Sequence, residues 1–158
     1  MKYRVSVASL IGCLYVCTVL ICINKIGIDN KKTLVNCVKD LCRMVFTSPV
    51  SGNHSFRVDV ETPSGIPCYN LHEEDLVKVN LETGKTLGRR KPSIEWYMHV
   101  SIYKKLGKAN AIVRTHSPYT LGIAISVIDK FQHTIEEAKI VVGNPVLISN
   151  KPSGSAAE

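Results

Sequence analysis

PSIEWYMHVSIYKKLGKANAIVRTHSPYTLGIAIS, from Pro92 to Ser126, is the stretch on which the reading of this chain turns. Ser93 has the character of a helix N-cap after Pro92, and Glu95 falls in the first turn, where a carboxylate suits the positive end of the helix dipole. Lys104, Lys105 and Gly107 close that helix with cations and a C-terminal glycine. Ala111 to His116 then alternates as a short strand. Ser117-Pro118 restarts a helix, a cap residue followed by proline at the first helical position.

On that strand Ile112, Arg114 and His116 share one face, because successive strand side chains alternate. Two imidazoles at i and i+2 would converge on one metal ion from such a face, and one is present. A glutamate at a helix start completes such a site as a carboxylate ligand or a base. On chemistry alone a structural role for Glu95 and His116 is the simpler reading.

Two further segments change that weighting. Ser51-Gly52-Asn53-His54-Ser55-Phe56-Arg57 and Thr62-Pro63-Ser64-Gly65-Ile66-Pro67 precede the quoted stretch. Together with Pro92-Ser93-Ile94-Glu95-Trp96 and Arg114-Thr115-His116, they resemble the motifs S-G-N-x-S-x-R, T-P-T/S-G-I-P, P-S-S-E-W and H-x-H of the class II aldolase/adducin family, in family order over roughly residues 33 to 158. That family includes the zinc-dependent L-fuculose-1-phosphate aldolases. The resemblance implies a three-layer α/β/α sandwich around a mostly antiparallel sheet, incomplete at the C-terminus because the chain ends at Glu158, before the strand that carries the family's third histidine. His133 lies too early to replace it.

The resemblance also implies a chemistry. Zinc would polarise the oxygens of a ketose phosphate as a Lewis acid, a glutamate would shuttle the proton, and retro-aldol cleavage would yield dihydroxyacetone phosphate and an aldehyde. Glu95 matches the glutamate and His116 the second histidine of H-x-H. Arg114 stands where the first belongs; a guanidinium stays protonated and offers no lone pair, so zinc binding is doubtful and activity impaired. His99, one turn after Glu95, is the nearest further imidazole, with a packed or solvated helix histidine as the plainer reading. Gly52, Asn53, Ser64, Gly65 and Ser93 match the loops that hold the substrate phosphate. Glycines let backbone N–H groups approach oxyanions, and a helix N-terminus adds a positive dipole end. The same residues also serve as ordinary turn and cap residues. One hydroxyl of the motif is lost to Ile94. The alternatives are a pentulose-phosphate 4-epimerase or thioribulose-phosphate dehydratase on the same scaffold, an adducin-like interaction module, or a decayed fragment. The family implies a small phosphorylated sugar as ligand and a homo-oligomer.

Length and charge bound the rest. The 158 residues suffice for one domain with a core. The net charge of +7 suits phosphorylated ligands, nucleic acid or membrane surfaces, but the lysines and arginines are scattered apart from Gly88-Arg89-Arg90-Lys91, which speaks against nucleic acid. Cys13, Cys17, Cys22, Cys37, Cys42 and Cys68 form no C-x-x-C pair and read as buried reduced thiols, which suits a cytoplasmic location. Residues 1 to 30 stand apart as an apolar segment. Within it Val5 to Ile23 carries no charge and is near the minimum for a membrane span, so a membrane anchor, a signal peptide and a non-native start all remain open. Residues 31 to 158 form the aldolase-like domain. Within it Lys32 to Phe46 reads as a helix with Leu34, Val38, Leu41 and Val45 on one face. Phe56 to Glu61, Asp75 to Asn80 and Val146 to Ser149 read as strands, and Glu82-Thr83-Gly84-Lys85 as a hairpin turn.

Overall fold

The computed structural model describes residues 17–21, 30–57, 60–107, 109–119, 122, 130–131 and 146–147. Its sheet is built around AIVRT, strand β6 (Ala111–Thr115), in which all five residues are buried. A strand buried on both faces belongs in the middle of a sheet, and β6 has partners on each edge. One is β1 (Cys17–Ile21), antiparallel with Thr18 opposite Arg114; the other is β2 (Asn53–Phe56), antiparallel with Asn53 opposite Arg114. The sheet continues through β3 (Val60–Glu61), β4 (Val77–Val79) and β5 (Thr86–Leu87) in the order β1-β6-β2-β3-β4-β5, antiparallel at every pairing. A separate ribbon pairs β7 (Lys130–Phe131) with β8 (Val146–Leu147), inside the strand expected over Val146 to Ser149.

Five residues of the uncharged N-terminal run thus pair in the sheet as β1. Among the described residues, no helix is long and apolar enough to cross a membrane. The strand expected over Phe56 to Glu61 is instead two strands, β2 and β3, folded back on each other with Phe56 opposite Val60. Arg57 is the start of the turn, so the alternation on either side of it belongs to two different edges.

Helix α1 (Asn30–Arg43) buries Leu34, Val35 and Val38 against Phe56, Leu71, Leu76 and Ala111. Leu41 is half-buried, but Val45, expected on the same face, is 65% exposed. The helix has ended by then. Val45 N–H donates to Cys42 O at 3.1 Å and Phe46 N–H to Leu41 O at 3.0 Å, the paired bonds of a Schellman stop, with Val45 at φ 61° in the position glycine usually holds. Helix α2 (Trp96–Lys105) buries His99, Val100 and Tyr103. It starts later than its sequence suggests: Glu95 is the N-cap, and Ser93 Oγ accepts the Glu95 N–H at 3.3 Å. Between β4 and β5, Asn80 Oδ1 accepts the N–H groups of Glu82 and Thr83, which fixes the expected hairpin turn.

Successive residues of β2 reach different helices. Phe56 packs in the α1 cluster, whereas Ser55 bonds to His99 and Tyr103 of α2. Arg57, just past the strand, donates to the carbonyls of Tyr103 (2.9 Å), Leu106 and Ala109 and lies 4.9 Å over the Tyr103 ring. Three of the carbonyls at and beyond the end of α2 are thereby satisfied by one side chain. The cysteine expectation needs a correction at two positions. Cys42 and Cys68 form a disulfide, because the last turn of α1 packs on the 3-10 turn Cys68–Asn70 and brings together residues 26 apart in sequence.

Two outcomes follow for stability. Val45→Gly should raise the free energy of unfolding by about 0.5–1 kcal/mol, because a β-branched residue in the left-handed region is replaced with little loss of buried area. Arg57→Ala should lower it by about 2–4 kcal/mol through lost charge-assisted bonds. Arg57→Lys should recover less than half of that loss, since an ammonium lacks the planar fork. Urea denaturation of the three variants checks both.

Candidate functional site

The cavity forms where the loop before β2 (residues 47–52), the loop after β3 (residues 62–67) and the start of α2 meet the end of β6. It has a volume of about 360 Å³. Each loop is held by its own polar residues. Thr47 Oγ1 donates to Ser51 O at 2.6 Å, and Ser48 N–H and Oγ both reach Ser51 Oγ. Gly52 has φ 80°, and a Cβ there would lie 2.7 Å from Thr47 Oγ1 and 2.8 Å from Arg114 O, so glycine is required twice over. The second loop is zipped to the α2 approach: Ser64 N–H donates to Lys91 O, Ser93 N–H to Thr62 O, and Pro63 bridges Pro92. Gly65 has φ 74° with open space around it, so there the backbone alone asks for glycine.

All seven residues singled out in the sequence, Gly52, Asn53, Ser64, Gly65, Ser93, Glu95 and His116, line this one cavity. Ile94, which replaces a motif hydroxyl, lines it too and is 84% exposed. Residues as far apart in sequence as Gly52 and His116 converge because β2 and β6 are neighbours and α2 begins beside their ends.

Beneath the cavity runs a buried polar chain. Tyr103 O–H donates to Ser55 O at 3.0 Å, and its oxygen lies 2.8 Å from Ser55 Oγ. Ser55 Oγ lies 2.6 Å from His99 Nδ1, and His99 Nε2 lies 2.6 Å from Asn53 Oδ1. One arrangement of protons satisfies every member: Ser55 O–H donates to Nδ1, and a neutral His99 donates from Nε2 to the amide oxygen of Asn53. The amide N–H groups of Asn53 are then left for the cavity that Asn53 lines. Burial first, then the charges of His54 and Arg114, pushes His99 down to about 3, which agrees with a neutral ring.

Arg114 is the residue sequence reasoning placed outside the chemistry and the structure places at its centre. It is 4% exposed and lines the cavity. Its Nη2 lies 3.4 Å from Glu95 Oε1, and its Nη1 donates to His116 Nε2 at 3.1 Å. Burial and then Arg114 lower the His116 pKa, which suits a neutral acceptor. His54 lies on the other face of β2, and its buried Nδ1 has no hydrogen-bond partner. Burial, then Arg114, pushes it down to about 4. His54 sits at the variable position of the motif, which is why no spacing rule exposed it.

The donors do not fit a divalent ion. Zinc would need bonds of roughly 2.0–2.2 Å to Glu95 and His116, with a third protein ligand. Among the described residues no group of three His, Cys, Asp or Glu side chains is placed to hold a metal. Both ring nitrogens of His99 are engaged elsewhere. A doubly charged ion ~4 Å from the guanidinium would meet a repulsion of about 8 kcal/mol at an effective dielectric near 20.

Comparison with known proteins gives the following likenesses. The family profile described as Class II Aldolase and Adducin N-terminal domain matches residues 32–158. A 5-deoxy-D-ribulose 1-phosphate aldolase of Bacillus thuringiensis serovar kurstaki is 46% identical over 63 residues, covering 40% of this chain and 30% of that protein. An L-fuculose phosphate aldolase of Methanococcus maripaludis is 38% identical over 105 residues, covering 66% of this chain and 54% of that protein. A solved L-fuculose 1-phosphate aldolase superposes with a TM-score of 0.54 at 32% identity, covering 60% of this chain and 47% of that one. The chain thus spans about half, or less, of the length of these relatives.

The buried neutral histidines give the fold a pH dependence. His54 and His99 titrate near 4 and 3 in the fold and at the ordinary 6.5 when unfolded. Their contribution is whole above pH 6.5 and falls as pH drops, because the unfolded chain binds protons that the fold refuses. At pH 5 each should cost roughly 2 kcal/mol relative to neutral pH. Urea midpoints at pH 7.5, 6 and 5 should fall in that order, and a midpoint unchanged at pH 5 would contradict the arrangement.

Proposed function

We propose a function on the premise that this chain belongs to the class II aldolase and adducin family over residues 32–158. The reading is a sugar-phosphate site of the retro-aldol lyase kind. The whole protein takes a ketose phosphate such as L-fuculose 1-phosphate and relates it to dihydroxyacetone phosphate and an aldehyde, and this chain contributes the phosphate cradle and the proton-moving carboxylate. One observation carries it: the cradle residues Gly52, Asn53, Ser64, Gly65 and Ser93 line the same cavity as Glu95, the one carboxylate lining it among the described residues. Two loop backbones with glycines at positive φ, a hydroxyl pair and an amide donor supply what a phosphate needs.

Glu95 is the group that accepts and returns a proton, and its place at the N-cap of α2 sets its carboxylate beside the cradle. Glu95 and His116 do not hold a metal ion as the chain stands, so what its residues supply is binding, orientation and a place for a proton. Arg114 between them favours a second reading, a module that binds the phosphorylated sugar and turns it over poorly. The epimerase and dehydratase alternatives would use the same cradle.

The remaining expectations join this proposal. The sheet with α1 and α2 is one part of an α/β/α sandwich, and the domain comprises residues 31–158 with β1 added as a strand. The family's oligomeric habit extends to this chain, and the domain works in the cytoplasm.

Calorimetric titration decides the cradle. Dihydroxyacetone phosphate should bind at least about tenfold more tightly than dihydroxyacetone, the worth of a charge-assisted hydrogen bond. Ser64→Asp, an exposed substitution that sets a like charge in the cradle, should erase that preference without changing the thermal midpoint. Equal affinities for the two compounds would sink the reading.

A further inference from the structure

We infer that the guanidinium of Arg114 occupies the position a divalent ion would take between Glu95 and His116, and that the cavity engages its phosphorylated ligand without a metal. The ligand's identity rests on the sugar-phosphate reading; the cation's position does not.

A cation already stands between the two candidate ligands. Glu95 Oε1 and His116 Nε2 are the two atoms an ion would bind, and each faces a different terminal nitrogen of Arg114, at 3.4 and 3.1 Å. An ion bonded to both would have to stand where the guanidinium stands. The arginine has little room to withdraw. Its strand is paired on both edges at this residue, to Thr18 and to Asn53, and its carbonyl lies close behind Gly52. With Glu95 at 9% and Arg114 at 4% exposure, the two buried charges offset one another.

The substitution changes the chemistry as well as the occupant. A guanidinium is a fixed cation with planar hydrogen-bond donors, matched to carbonyl and phosphate oxygens. It needs no loading and no third ligand. It orients an oxygen but lacks the open coordination position through which a metal polarises a bound carbonyl. The ligand class that suits this cavity carries a phosphate for the loops and a carbonyl or hydroxyl oxygen for Arg114, Glu95 and His116. Its binding is set by protein donors alone.

Calorimetry on the full chain tests this in two arms. In the first, zinc alone is titrated into the unmodified chain and into Arg114→His and Arg114→Lys. Saturable zinc binding should be absent from the unmodified chain and from Arg114→Lys, which keeps a cation in place, and should appear in Arg114→His. Stoichiometric zinc in the unmodified chain that is lost in Glu95→Gln overturns the inference, as does zinc gained by Arg114→Lys. In the second arm inorganic phosphate is titrated with zinc or with EDTA present. The two affinities should agree within about twofold, because no hydrogen bond to a charged group is lost or gained between them. Phosphate that binds only with zinc overturns the inference. Phosphate that binds in neither condition overturns its ligand half through the cradle, while the zinc arm still reports on the cation's position.

Discussion

The rest of the molecule depends on the polar attachment of β2 to α2. Asn53, Ser55 and Arg57 leave one face of β2 and its turn as donors and acceptors, and all meet α2 or the segment that follows it: His99, Tyr103 and the carbonyls of Tyr103, Leu106 and Ala109. Buried polar groups must be matched or they cost more than they give. This face therefore specifies where α2 lies along the strand, where an apolar face would tolerate a slide. Because α2 is fixed, its N-cap Glu95 is fixed, and because β2 pairs with β6, Arg114 arrives beside it. The S-G-N-x-S-x-R motif thus reads as two devices interleaved. Gly52 and Asn53 shape the cavity, while Ser55 and Arg57 clamp the helix that completes it.

Electrostatics inside the cavity follow from that placement. One guanidinium sits among a carboxylate and neutral imidazoles; burial first, and its charge in addition, disfavours protonation of His54, His99 and His116. The imidazoles stay acceptors or single donors, which agrees with a hydrogen-bond chain beneath the cavity in which His99 donates from Nε2 to Asn53 Oδ1. A site built this way is rigid in its donors and needs nothing from solution to set them.

Much of this was legible in the residues. Periodicity located α1, the Glu82–Lys85 turn and the strands β4 and β6, because local pattern and burial agree there. The seven candidate residues converge on one cavity since each motif carries its own local geometry, positive φ at Gly52 and Gly65 and a cap at the start of α2. The misreadings lie where tertiary contact decides. Phe56 to Glu61 alternates like one strand but turns at Arg57, whose side chain is claimed by the end of α2. Val45 keeps the helical period yet lies past the stop. Arg114 looked like a lost ligand, and only its distances to Glu95 and His116 reveal a replacement cation. The Cys42–Cys68 bond joins residues whose spacing carries no signature.

That bond has a topological consequence. The segment it closes, residues 43–67, contains Gly52, Asn53, Ser64 and Gly65, four of the five cradle positions, and Cys68 itself lines the cavity. A closed loop of this size restricts the unfolded ensemble by about 3.5 kcal/mol in the chain-entropy account. The restriction falls on the distance between the two loops that must face each other, before any strand has paired. When the thiols are reduced, the same two loops meet only as the sheet assembles between them. The oxidation state of one cysteine pair therefore sets whether the cradle is a property of a covalent ring or of the completed fold.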